Sequence, residues 1–272
     1  MMNNLLETKK KVVMFRYDDH DVCLELVKTN PYALQYIENQ TDDICLEAVK
    51  HDGSVLNYVA NQTKDICLEA IKHDPAALRY VRDQTEDICL EAIIHGAPLR
   101  FARKQTPELC MAAIKRSGYS LQFVEKQTPE LCMEAVKKSG LALQYVRNQT
   151  KDICLEAVKE NGYALQYVID QTEDVCIEAV KQCGFALEFV EEQTENICLE
   201  AVKQDGYALQ YVINQTEDIC LEAINQNEYA LQYVIKQTPE LCMEAMNKSI
   251  YALQFVKDKI LKQLEDIGYE IK

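Results

Sequence analysis

Apolar positions recur along the chain with a period of 22 residues, and within each period they fall into two clusters separated by polar caps. In the stretch 216–237, TEDICLEAINQNEYALQYVIKQ, Ile219, Cys220, Ala223 and Ile224 lie at i, i+1, i+4 and i+5, one face of a short helix. Thr216 precedes them as an N-cap, and Glu217 and Asp218 fill the first turn, where the helix dipole favours acidic groups. A second cap follows at Asn227, and Tyr229, Ala230, Leu231, Tyr233 and Val234 form a second apolar face. The pattern predicts two helices of roughly nine residues per repeat, joined by short connections.

A 22-residue period would also suit one long right-handed coiled coil. The prolines exclude it. Pro107, Pro129 and Pro239 each follow a capping Thr, and Pro31 and Pro75 follow Asn30 and Asp74, so five of six mark helix starts at two points of the repeat. A continuous helix would lose about 3 kcal/mol at each. The second cap column runs Asn30, Asp52, Asp74, Ser117, Ser139, Asn161, Asp205, Asn227 and Ser249, with His95 and Cys183 out of character, and glycine often follows it.

Helices this short do not persist alone, so stability must come from stacking neighbouring repeats. The expected architecture is an all-α solenoid of eleven 22-residue helix-turn-helix repeats over residues 19–256, with an N-terminal cap at 1–18 and a capping helix at 257–272. That final helix would set Ile260, Leu261, Leu264 and Ile267 on one side. Leu34 to Leu253 form an unbroken column, and two places on every repeat carries Tyr or Phe, from Tyr36 to Phe255; both columns are expected to form the internal spine.

Eleven of twelve cysteines, Cys23 through Cys242, occupy one column, spaced by 22 except for 21 between Cys89 and Cys110. Equivalent atoms in stacked helices lie roughly 9–10 Å apart, and a disulfide needs Cα atoms within about 7 Å. The column therefore reads as small buried apolar residues rather than as disulfides or shared zinc ligands. Cys183 sits in the cap column and is expected to be partly exposed.

Phrases such as Cys198-Leu-Glu-Ala-Val-Lys-Gln-Asp-Gly-Tyr-Ala-Leu-Gln-Tyr-Val212 resemble a helical repeat family catalogued as domain of unknown function 4116, and the resemblance covers nearly all of 19–256. It implies an α-helical repeat protein and supplies no activity, cofactor or functional residue.

The charge is −15, from 29 Lys and Arg against 44 Asp and Glu, which opposes direct binding to nucleic acid or an anionic membrane and would attract a basic partner. No segment approaches the ~20 apolar residues of a membrane span, and the start MMNNLLETKKKVVMFRY lacks a signal-peptide core, so a reducing compartment, the cytoplasm, is expected. No phosphate loop, zinc-ligand pair or nucleophile elbow is present, and the Glu column beginning at Glu25, Glu47 and Glu69 reads as a solvated face. The chain is expected to bind rather than to catalyse, with no cofactor and no metal. His51, His73 and His95 share a column in three successive repeats, too far apart to ligate one ion in a stack.

Arginine departs most from the repeat. Five of seven lie between 72 and 116, a span of net charge +2 against −17 for the remainder. Arg79 and Arg100 replace the Gln of that column, and Arg82 and Arg103 follow three residues later, an i, i+3 spacing that would place each pair on one helix edge. One residue is deleted in the same region, near His95-Gly-Ala-Pro98. Two features thus compose the expected partner-binding surface: the Arg79, Arg82, Arg100 and Arg103 patch, and the ladder that includes Gln122, Gln144, Gln166 and Gln210. The expected function is a protein–protein interaction scaffold; the alternative is an acidic decoy that occupies the basic groove of a nucleic-acid-binding protein.

Overall fold

The structure, a computed structural model, describes residues 19–266. The expected N-terminal cap at 1–18 and Ile267 lie outside these residues. Eleven times in succession a ten-residue α-helix is followed by a shorter 3₁₀-helix, from His20–Thr29 and Pro31–Tyr36 to Pro239–Lys248 and Ile250–Phe255, and a final α-helix spans Asp258–Asp266. No strand occurs among the described residues. The fold is an all-α repeat solenoid. It divides into two compact units: one runs to Arg116 and takes in Phe123–Glu125, and the other holds Ser117–Gln122 and continues from Lys126.

Each α-helix begins as its sequence dictates. The Thr residue takes the extended cap conformation, and in most repeats its hydroxyl accepts the N–H three residues on, as Thr216 does from Ile219 at 3.3 Å. Acidic residues follow in the first turn of every α-helix. The helix ends after ten residues because the next position is extended: Asn227 has φ −154° and ψ 115°. That same residue caps the following turn, its side chain accepting the Tyr229 N–H at 2.9 Å. Asn30, Asp52, Asp74, Asn161, Asp205 and Ser249 do likewise.

The second element is not the nine-residue helix that the apolar spacing suggests. It is a 3₁₀-helix of six residues, shortened to three at Leu99–Phe101. Of its apolar face, Ala230 and Leu231 sit inside the 3₁₀-turn, while Val234 is already extended (ψ 115°) and turns inward as a strand residue would. Burial at i, i+1 and i+4 fits a helix on paper, but here the last position belongs to the connector. The connector then runs Ile235–Lys236–Gln237 to the next capping residue, Thr238.

The core is built from Ile219, Cys220, Ala223, Ile224, Ala230, Leu231 and Val234 and their counterparts, nearly all under 7% exposed. Among the described residues no polar or charged side chain is fully buried. The aromatic column, expected inside, is half-exposed instead, and Tyr36 is 70% exposed. Its rings pack edge-on against an aromatic of the preceding repeat: Tyr163 with Phe189 at 6.0 Å, Phe185 with Tyr211 at 6.0 Å, Tyr207 with Tyr233 at 5.9 Å. Ile260 and Leu264 bury one side of the final helix, and Leu261 is half-buried.

Seven repeats carry glycine at or beside the start of the second element, and in six of them a carbonyl of the next repeat lies within 2.6 Å of where a Cβ would sit. At Gly162 an added Cβ would lie 2.6 Å from the Ala179 carbonyl oxygen and 2.8 Å from Gln182 Oε1 in the next repeat. Gly96 differs, with φ +115°. It closes its α-helix with a left-handed cap in which Gly96 donates to Ile93 at 3.0 Å and Ala97 donates to Ala92 at 2.8 Å. This cap replaces the extended Asx cap of other repeats and absorbs the one-residue deletion.

Candidate functional site

The half-buried glutamine before each capping Thr holds consecutive repeats together. Gln215 donates from Nε2 to its own Leu209 carbonyl at 3.3 Å and to the Tyr233 carbonyl of the next repeat at 2.9 Å. Its Oε1 accepts the Ile235 N–H at 2.9 Å and the Cys220 thiol at 3.7 Å. One amide thereby pairs the Tyr233 carbonyl and the Ile235 N–H across the repeat boundary and adds a second donor to the Leu209 carbonyl, which already accepts the Val212 N–H at 3.2 Å. Gln62 and Gln84 do the same in the first unit. The sequence reading passed over this column. Its signal was the invariance of Gln ahead of Thr, which a cap alone does not require.

The cysteines follow from that geometry. The eleven column members are buried, all twelve are thiols, and nine of the column members donate to the staple glutamine. A small residue with a weak donor suits the position better than a hydrocarbon. Burial, with nearby carboxylates, pushes the thiols of Cys45, Cys176, Cys198 and Cys220 up to about 11, so none is poised as a nucleophile. Cys183 is half-buried, as its place in the cap column implies.

The histidines do not converge. His51 and His95 face Glu47 and Glu91 one turn back on their own helices, at 3.3 and 3.0 Å, and His73 accepts the Gly53 N–H at 3.4 Å. Gln182, Gln204 and Gln226 accept the corresponding glycine N–H at 2.6–2.7 Å, so these α-helix ends offer an acceptor to the repeat before them, whereas Arg116 and Lys248 at the same place donate to the Ile94 and Asn225 carbonyls. Among the described residues no group of three or more His, Cys, Asp or Glu gathers to hold a metal.

All four arginines of the expected patch are exposed, but they act in two ways. Arg82 and Arg103 are not on a helix edge, because the chain is extended at Val81 and Ala102, which ends the helical register before them. Arg82 donates to the Ala60 carbonyl at 2.7 Å and Arg103 to the Arg82 carbonyl at 2.7 Å, so each pins the connector of the repeat before it. Arg79 and Arg100 lie over rings: Arg79 Cζ is 4.7 Å from the Tyr80 centroid and 5.8 Å from Phe101, and Arg100 is 4.8 Å from Phe101 and 5.4 Å from Phe123. In six other repeats the ring meets an aromatic from the preceding repeat, but that place holds Ser54 before Tyr80, Ala76 before Phe101 and Ala97, beside the deletion, before Phe123. The guanidiniums cover the rings instead.

Gln122, Gln144, Gln166 and Gln210 are exposed as the ladder reading expects. Each donates from Nε2 to the carbonyl three residues back, at 2.9–3.0 Å, which fixes its amide on the surface.

The family described as Domain of unknown function (DUF4116) matches residues 19–63, 41–85, 106–149, 128–171, 150–194, 172–215, 194–238 and 216–262. The chain belongs to this family. Its matches overlap by one repeat and leave out 86–105, the stretch that contains the left-handed cap at Gly96 together with Arg100 and Arg103. DUF4116 thus describes paired neighbouring repeats, the unit that one glutamine staple spans. No curated protein and no solved structure matches the chain. Among the described residues no helix is long and apolar enough to cross a membrane.

Proposed function

We propose that this chain is a non-enzymatic protein-interaction scaffold that works in a reducing compartment, the cytoplasm, and engages a protein partner through its 3₁₀-turn face. The supporting observation is the ladder itself. In the second unit Gln122, Gln144, Gln166 and Gln210 stand at one place of the turn, with Glu188 between the last two, and each is exposed and held by a hydrogen bond within its own turn. Tyrosines stand beside them, with Tyr119 and Tyr163 nearly 40% exposed. Such a surface keeps amide oxygens and aromatic edges available at low entropic cost on binding, which is what a protein-binding face needs. Arg79 and Arg100 occupy the glutamine position in their repeats and would add charge-assisted contacts to carboxylates of the partner.

A second reading is favoured by the charge distribution. Residues 170–228 hold fourteen Asp and Glu against two Lys, a net −12 in a chain whose total is −15. On that reading the protein occupies the basic groove of a nucleic-acid-binding protein, and no nucleic acid binds directly.

The test is affinity capture from native extract, with and without nuclease. Wild type is compared with a Gln122→Ala/Gln144→Ala/Gln166→Ala/Gln210→Ala variant and with Arg79→Gln/Arg100→Gln. A protein retained by wild type and lost from the glutamine variant supports the ladder. The same basic, nucleic-acid-binding protein on all three baits sinks the ladder and supports the acidic decoy.

A further inference from the structure

Three isoleucines are exposed on the connectors of the second unit: Ile169 at 76%, Ile213 at 69% and Ile235 at 62%. The position is fixed by the staple. Gln149, Gln193 and Gln215 accept the N–H of these residues at 3.0, 3.0 and 2.9 Å, which anchors the backbone and leaves the side chain outside. Val168, Val212 and Val234, one residue earlier, already occupy the core. Nothing in the fold requires isoleucine here, since other repeats place Glu38, Glu125, Glu191 or Lys257 at this point.

Ile213 and Ile235 act together. They line one groove of about 460 Å³ whose floor includes Cys220 and Leu241 and whose rim includes Glu217 and Lys236. Thr216, also in the lining, donates to Glu195 at 3.2 Å, which sets a second carboxylate beside the groove. Glu191 and Glu192 occupy the corresponding connector one repeat earlier. Ile169 belongs to a different hollow, of about 280 Å³, where Arg147 and Lys151 also line the wall and Lys151 pairs with Asp174 at 2.5 Å. A groove flanked by two exposed isoleucines, with Glu217 in its lining, Glu195 held beside it and a strongly acidic stretch leading into it, is complementary to a segment that alternates aliphatic and cationic side chains.

We infer that the Ile213–Ile235 groove is a docking site for a lysine- or arginine-rich segment of a partner protein, with aliphatic side chains seated between the isoleucines and cations over Glu191, Glu195 and Glu217. This rests on the reading of the chain as an interaction scaffold, but it uses the connector edge rather than the 3₁₀-turn face.

The experiment is fluorescence anisotropy on the full chain at physiological salt. The probes are a labelled peptide of alternating lysine and leucine and a charge-matched one of alternating lysine and serine. Wild type is expected to bind the lysine–leucine peptide about tenfold more tightly than the lysine–serine peptide. Ile213→Ser/Ile235→Ser should remove that preference, Glu191→Gln/Glu195→Gln should weaken both peptides, and Ile169→Ser should change neither. Circular dichroism and a urea midpoint establish that each variant is folded; Ile213→Thr/Ile235→Thr replaces the serine pair if it melts early. Equal affinity for the two peptides, or a preference that survives loss of both isoleucines, overturns the groove. The glutamine-ladder variant, run alongside, should keep wild-type peptide affinity. A result against the groove therefore leaves the ladder reading standing, and failure of the ladder in the capture experiment leaves the groove.

Discussion

Gln215 and Tyr233 lie eighteen residues apart, and one hydrogen bond of 2.9 Å from the amide of the first to the carbonyl of the second ties two repeats together. The same amide also serves Leu209, Ile235 and Cys220. Replacing Gln215 by Ala or Leu leaves the Tyr233 carbonyl and the Ile235 N–H without this partner, while the Leu209 carbonyl keeps the Val212 N–H at 3.2 Å, and each orphaned group costs about 1–3 kcal/mol. The expected loss is about 3 kcal/mol, read as a lower urea midpoint. Gln210→Ala, five residues away on the exposed ladder, should stay within about 0.5 kcal/mol. Equal effects at the two sites would remove the staple from the account.

The thiols give stability an alkaline limit. Burial raises Cys45, Cys176, Cys198 and Cys220 from the ordinary 9.0 to about 11. Below pH 9 the thiol is protonated in both folded and unfolded chains. Between 9 and 11 the unfolded chain releases these protons and the folded one retains them, so stability falls across that window. A melting-temperature series should show the fall, with a shallower slope in Cys198→Ala/Cys220→Ala. In the native state at neutral pH, a thiol reagent should modify Cys183 first, with the buried column reacting only on unfolding.

Two glycines should respond to alanine for different reasons. At Gly162 the new methyl meets the Ala179 carbonyl oxygen at 2.6 Å, and the neighbouring repeat must move. The expected cost is about 2–3 kcal/mol. At Gly96 the obstacle is a φ of +115°, for which about 1–2 kcal/mol is expected. Adding Arg116→Ala, whose guanidinium lies 3.0 Å from that methyl position, should not rescue Gly96→Ala, because the strain is in the backbone.

Arg79 covers Phe101, the ring that Ala76 leaves bare, as well as Tyr80. Arg79→Gln should therefore cost about 0.5–1 kcal/mol. Ala76→Tyr added to it should recover that loss by restoring the edge-on aromatic contact seen between Tyr163 and Phe189 at 6.0 Å. If the double variant is no more stable than the single one, the arginine is not a substitute for the ring.

The caps, prolines and period of 22 make the repeat legible in the sequence, because N-caps and apolar faces are local signals. The second helix was overcalled for a related reason. Val234 completes a helical spacing with Ala230 and Leu231, yet it is buried from an extended backbone, and spacing alone does not separate the two. The aromatic column was placed inside by its regularity, although its rings are paired along the surface. Arg82 and Arg103 were put on a helix edge by i, i+3 arithmetic that ends at Val81 and Ala102. The staple was missed because its partners lie 18 and 20 residues away, beyond any local pattern. Ile213 and Ile235 went unremarked for a similar reason: only their shared groove distinguishes them from scattered surface isoleucines.

The staple also bears on how such a chain changes in length. Each junction that it makes is between groups present in every repeat, so inserting or excising a whole 22-residue block recreates a junction of the same kind. Loss of one residue does not have that neutrality, and the turn at Gly96 is the local repair it demanded. Descent by whole-block duplication is therefore open to this protein at little structural cost, while drift by single insertions and deletions is penalised at once.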